Sequence, residues 1–144
     1  MMEILRYPVK LHEADDGITI TFPDMPYGVT YGDTKEEALS SAVDCLEEIV
    51  ASLMKEKKDI PHPSPARGRP TVTLSPAFSA KVLLYITLRE EHITKAELAR
   101  SLDWKYPQVD RLFDTHHASQ LSQLIMAAYA MKKSFVIGIE DARF

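Results

Sequence analysis

The run Thr94-Lys95-Ala96-Glu97-Leu98-Ala99-Arg100-Ser101-Leu102-Asp103-Trp104-Lys105-Tyr106-Pro107-Gln108-Val109-Asp110-Arg111-Leu112 holds the most informative pattern in the chain. Thr94 and Glu97 form a T-x-x-E capping box, which opens a short helix to Ser101. Leu98 and Ala99 are its inward pair. Leu102 and Trp104 anchor a turn. A second helix, Tyr106 to Phe113, turns Val109 and Leu112 inward, three residues apart. This is the spacing of a helix-turn-helix, whose second helix keeps its other side free for a DNA major groove. Lys105, Tyr106, Gln108 and Arg111 then point outward near the start of that helix. With Thr94 and Lys95 they are the candidate contacts to phosphates and base edges of double-stranded DNA. The turn holds Asp103 where glycine is usual, and Asp tolerates the left-handed conformation better than most residues.

Working outward, residues 76–144 read as helical. Ser75-Pro76 is an N-cap followed by proline at the first helical position. Phe78, Val82, Tyr85, Ile86 and Leu88 make a stripe ending near Glu91. A last helix is expected from Ser119 to Met131, with Leu121, Leu124, Ile125 and Ala128 inward. Ser134 to Ile139 reads as a terminal strand. An open apolar edge is a liability, so this strand is expected to pair across a dimer or to cover the helices. His116 and His117 close the loop after the second short helix.

Upstream, residues 60–70 contain four of the nine prolines. Proline fixes φ and removes an amide donor, so this stretch is an extended connector. It divides the chain into a unit at 1–75, linker included, and a unit at 76–144. In the first unit Leu5, Tyr7, Val9 and Leu11 alternate as one strand, and Asp15-Asp16-Gly17 signals a turn. Ile18, Ile20 and Phe22 form a second, antiparallel strand, and Tyr27 to Tyr31 a third. Gly32-Asp33-Thr34 leads into a helix capped by Thr34 and Glu37, with Leu39, Ala42, Val43, Leu46, Ile49, Val50 and Leu53 on its apolar face. Cys45 falls on that side as a small core residue. Glu36, Glu37, Asp44, Glu47 and Glu48 read as a solvated face. Thr71 to Leu74 returns as a strand to the first unit's sheet. The predicted class is α+β: a β-β-β-α-β unit followed by an all-α unit with a terminal strand. A 75-residue unit is small to stand alone, so a partner or dimer is expected.

Net charge is −4, yet residues 1–54 carry three Lys/Arg against eleven Asp/Glu, and residues 76–144 nine against eight. The acidic character therefore belongs to the first half. No apolar run is long enough for a bilayer, and the start shows no secretory signal. One cysteine excludes a disulfide framework, so a cytoplasmic protein with no membrane partner is expected.

The chain resembles HicB, the antitoxin of HicA–HicB toxin–antitoxin systems, in its helix-turn-helix form. The likeness is carried by Arg6-Tyr7-Pro8-Val9, Gly32-Asp33-Thr34 with Glu36-Glu37-Ala38, and Leu74-Ser75 with Lys81-Val82-Leu83-Leu84. It continues through Glu97-Leu98-Ala99-Arg100, Arg111-Leu112-Phe113 and His116-His117-Ala118. The resemblance implies a partial RNase H-like fold in the first unit and an Xre/Cro-like helix-turn-helix in the second. It implies that the first unit neutralises a HicA-like mRNA-cleaving toxin by occluding its active surface. It also implies that the second represses the chain's own operon as a homodimer or higher oligomer. Such a toxin must be basic to hold RNA, which suits the acidic half. Asp15, Asp16, Asp24 and Tyr27, flanking the strand ends, are the candidate toxin contacts.

Catalysis is not expected, because the carboxylates do not converge as a two-metal site requires. No i, i+4 histidine pair exists and cysteine is single, so no metal or cofactor is expected. The alternative is a stand-alone transcription factor whose first unit senses a ligand.

Overall fold

The computed structural model describes residues 5–142; the first four residues of the start read for a secretory signal lie outside them. The chain is α+β. Strands β1 (Arg6–Pro8), β2 (Lys10–Ala14), β3 (Gly17–Thr21) and β4 (Val29–Gly32) precede helix α1 (Lys35–Lys55). Strand β5 (Thr71–Thr73) leads into α2 (Pro76–Glu90), α3 (Lys95–Leu102), α4 (Tyr106–Leu112) and α5 (Leu121–Ala130).

The single first strand expected from Leu5 to Leu11 is two strands in two sheets. β1 pairs antiparallel with β5, while β2, β3 and β4 form a separate antiparallel sheet. Pro8 has no amide donor, so a continuous ladder is interrupted there, and the next donor, Val9 N, goes to Pro70 O at 2.9 Å. Thr71–Thr73 accordingly rejoins β1 and does not extend the main sheet.

α1 lies across β3, β4 and β5. Ala38, Ala42, Leu46, Ile49, Val50, Leu53 and Met54 are its buried residues, at the three- and four-residue spacing of one helical face. Gly32 lets β4 meet the helix: a Cβ there would lie 2.3 Å from Ala38 N. Thr34 caps the helix by accepting from Glu37 N at 3.2 Å, and Glu37 accepts from Asp33 N. Cys45 is partly buried on this core, and burial pushes its thiol pKa up.

The proline-rich connector and the two residues before it are pinned to the folded units. Tyr7 and Tyr85 hydroxyls donate to the Pro61 and Lys58 carbonyls at 2.7 and 2.6 Å. Arg89 pairs with Asp59. Asp24 Oδ2 accepts from both Ser64 N and Ser64 Oγ. The buried residues of both halves belong to one cluster.

Three further expectations change. Leu121 and Ile125 of α5 are exposed, and the buried positions are Leu124, Ala127 and Ala128, with Met131 just beyond. Ser134–Ile139 forms no strand among the described residues, because within one chain it meets no ladder to join. It leaves Val136, Ile137 and Ile139 exposed. Glu47, read as part of a solvated face, accepts from Ser75 N at 3.0 Å and Ser75 Oγ at 2.7 Å. It thus supplies to the start of α2 the acidic group that a capping box places at the third helical position, which here is Phe78. No helix among the described residues is long and apolar enough to cross a membrane.

Candidate functional site

α3 and α4 meet at a tight turn. Asp103 ends α3 with φ 56 and ψ 41, the left-handed conformation, and Trp104 N reaches back to Ala99 O at 2.9 Å. That six-to-one bond satisfies a carbonyl the helix end leaves open. Leu98, Ala99, Val109 and Leu112 are all buried. Leu102 and Trp104 pack against them partly buried.

Burial of Val109 and Leu112 turns the other side of α4 outward. Lys105, Tyr106, Gln108 and Arg111 are all exposed. Tyr106 is half exposed, so it is not a core residue. Gln108 also serves the fold, since its Oε1 accepts from Lys105 N at 2.8 Å and caps the start of α4. The candidate residues of α3 are similarly engaged. Thr94 accepts from Glu97 N at 3.1 Å. Lys95 Nζ pairs with Asp110 at 2.8 Å and lies over the Phe113 ring, tying α3 to α4. Of the six expected DNA contacts, Tyr106, Gln108 and Arg111 are exposed on α4 with Lys105 at its N-cap, while Lys95 ties α3 to α4 and Thr94 caps α3.

The C-terminal end of α4 is held by Lys81 of α2, a residue that helical periodicity alone does not single out. Lys81 is 4% exposed. Its ammonium donates to Arg111 O at 2.8 Å, Leu112 O at 3.4 Å and Ser119 Oγ at 2.7 Å. Burial lowers its pKa, against a smaller opposing pull from Asp114. After α4, His116 N donates to Asp114 and His117 Nδ1 lies 3.3 Å from Ser119 Oγ, so both histidines close the loop.

The first half presents a different surface. β2 and β3 join through the two-residue turn Asp15-Asp16, since Ala14 faces Gly17 in the ladder. Glu13, Asp15, Asp16 and Asp33 line one cleft there with Ala14, Gly17 and Ile18. Asp33, read from the sequence only as part of the helix lead-in, is brought to the turn by the register Ile18–Gly32. The Tyr31 hydroxyl donates to Asp16 O and lies 3.1 Å from Asp33 Oδ1, which raises its pKa.

The four toxin-contact candidates do not converge. β3 has five residues, so its ends are roughly 14 Å apart. Asp15 and Asp16 lie at one end, Asp24 and Tyr27 beyond the other, and Asp24 is engaged with the connector. Between the two groups runs β4, with Val29 and Tyr31 exposed by 66% and 47%, and Tyr27, just before the strand, is exposed by 54%. Val29 and Tyr31 face Thr21 and Thr19 in the ladder, on the sheet side opposite buried Ile20. Among the described residues no group of three or more His, Cys, Asp or Glu is arranged to hold a metal ion.

The sequence family described as the HicB-like antitoxin of bacterial toxin–antitoxin systems matches residues 6–83. Curated relatives extend the likeness along the chain. Antitoxin HicB 2 of Photorhabdus laumondii is 34% identical over 133 residues, covering 92% of this chain and 95% of the relative. Antitoxin HicB of Escherichia coli strain K12 is 34% identical over 131 residues, covering 90% and 95%. Antitoxin HicB of Pseudomonas fluorescens strain Pf0-1 is 32% identical over 141 residues, covering 96% and 97%. The acidic sheet unit and the helical unit that follows it thus lie within a likeness spanning both chains almost end to end, and the chain belongs to the HicB-like antitoxins of bacterial toxin–antitoxin systems.

Proposed function

We propose that this antitoxin neutralises a HicA-like mRNA-cleaving toxin with residues 1–75 and represses its own operon with residues 76–144. The observation that carries the reading is the division of the surface. One half exposes carboxylates around an aromatic strand edge, and the other exposes Lys105, Tyr106, Gln108 and Arg111 on one helix.

On the first half the toxin's basic RNA-binding surface meets the β4 face. Tyr27, Val29 and Tyr31 supply an apolar centre of the kind that dominates interface energetics. Asp15, Asp16 and Asp33 supply an acidic rim, and Asp24 adds charge beyond the other end while holding the connector. The rim speeds encounter, and the apolar centre sets the lifetime of the complex. Occlusion of the toxin's active surface follows from coverage and requires no catalysis, so we read the antitoxin as no enzyme. The partial RNase H-like description of this half and a cytoplasmic location belong to the same reading.

On the second half α3 and α4 act as an Xre/Cro-like helix-turn-helix, with α4 in the major groove of operator DNA. Lys95 and Thr94 support that unit from α3. A two-fold operator requires two copies. The exposed side chains Leu121, Ile125, Met126 and Tyr129 of α5, with Val136, Ile137 and Ile139 of the tail, give the second copy its contact surface. α5 carries no charged residue, which suits apolar self-association. Nothing in the acidic clefts favours a small-molecule sensor.

The reading predicts a small basic toxin encoded beside this gene, and co-expression with it is the test. The wild-type chain is expected to restore growth and to co-purify with a small basic protein. Growth arrest despite soluble antitoxin would overturn the toxin assignment.

A further inference from the structure

Lys81 is the one charged side chain buried among the described residues, and it lies on α2, outside the α3–α4 pair. Removing a cation from water is costly, and an apolar residue of similar size would serve packing at least as well. The structure shows what the charge does instead. An ammonium has three donors, and here three acceptors surround it. Two are the carbonyls of the last two residues of α4, where a helix leaves its carbonyls without partners and welcomes positive charge. The third is Ser119 Oγ, just before α5.

α4 has only seven residues, too few to hold its own shape or direction. Its start is tied by Gln108 and its side by Lys95 to Asp110. Its end is tied by Lys81 to α2, which is itself fixed to the first half through Ser75 and Glu47.

We propose that Lys81 is a positioning residue for DNA recognition: its ammonium locks the C-terminal end of α4 and so sets the angle at which α4 presents its exposed side chains. This rests on the reading of α4 as the DNA-contacting helix. Lys81 touches no DNA, so its loss should spoil discrimination between sequences more than affinity for phosphates.

The test compares wild type with Lys81→Met, which keeps the aliphatic length and removes the donors. The probes are a duplex carrying the antitoxin's own promoter region and a scrambled duplex of equal length. The expected result is a fall of at least tenfold in the ratio of the two affinities, with scrambled-duplex affinity changed less than twofold. Hydrogen exchange, measured without DNA, should rise at least tenfold for α4 amides and stay unchanged in α1. An unchanged affinity ratio in a wild type that prefers its promoter overturns the proposal, as do unchanged α4 exchange rates. A wild type with no promoter preference defeats the DNA reading instead, and the exchange measurement still decides whether Lys81 anchors α4. Should Lys81→Met fail to fold, Ser119→Ala removes one acceptor and leaves the charge. It should lower the ratio about threefold, and no change overturns the proposal.

Discussion

Arg111 and Gln108 sit on the same exposed side of α4 but do different work, and substitutions can separate the two kinds. The Arg111 side chain is exposed while its carbonyl is held by Lys81. Arg111→Ala should therefore leave the melting temperature unchanged and cost about 1–3 kcal/mol in promoter binding, tenfold or more in a gel-shift titration. Gln108→Ala should lower stability as well, because Oε1 caps α4. Gln108→Glu keeps that acceptor, so it should bind promoter DNA weakly while melting near the wild-type temperature. Equal melting of the Ala and Glu variants would remove the capping role. Inward Val109 and Leu112 were legible in the sequence because helical periodicity is local. Lys81 and Glu47 were not, since their partners lie about 30 residues away and only the fold brings them together.

At the scale of elements, helix ends carry much of the architecture. Lys57, His92, Asp103 and Lys132 all adopt positive φ just past a helix, without glycine. Each is followed by an amide that bonds back to the last turn: Lys58 N to Leu53 O, Ile93 N to Leu88 O, Trp104 N to Ala99 O and Lys133 N to Ala128 O. Left-handed residues with a Cβ cost about 1–2 kcal/mol, which glycine largely avoids. Asp103→Gly should therefore raise the melting temperature by a few degrees with promoter affinity kept, and a lower melting temperature would show that the Asp side chain matters there. Gly32→Ala should act the other way. Its Cβ would meet Ala38 backbone, so β4 and α1 must separate, at a cost of at least about 1–3 kcal/mol in denaturant unfolding. The reciprocal half of a capping box is not made at Thr34 or Thr94, since Glu37 accepts from Asp33 N and Glu97 from the Thr94 hydroxyl, but both N-caps were legible as Thr-x-x-Glu pairs. The break at Pro8 was not, because alternation continues through it from Leu5 to Leu11 and the missing amide shows only once β5 becomes the partner.

For the whole molecule, the charge division is the feature that sequence and structure both carry. The sequence showed that the acidic residues lie in the first half. The fold arranged four carboxylates around one cleft and ran β4 from it, with Val29 and Tyr31 exposed along the strand and Tyr27 beyond its far end, which depends on ladder register. The apolar tail was legible as exposed surface, while the strand expected there finds no ladder among the described residues. If the two halves have separate partners, they should also respond separately: raised salt should weaken promoter binding steeply, and should slow toxin encounter at the acidic rim while leaving the lifetime of an apolar-centred complex little changed. The most direct measurement of the central claim is RNA cleavage by the proposed HicA-like toxin, purified and titrated with antitoxin. Wild type and Arg111→Ala should both stop cleavage near one equivalent, while the Asp15→Lys/Asp16→Lys double variant should need at least tenfold more. Inhibition lost by Arg111→Ala and kept by the charge reversal would contradict the assignment of the toxin to the acidic half.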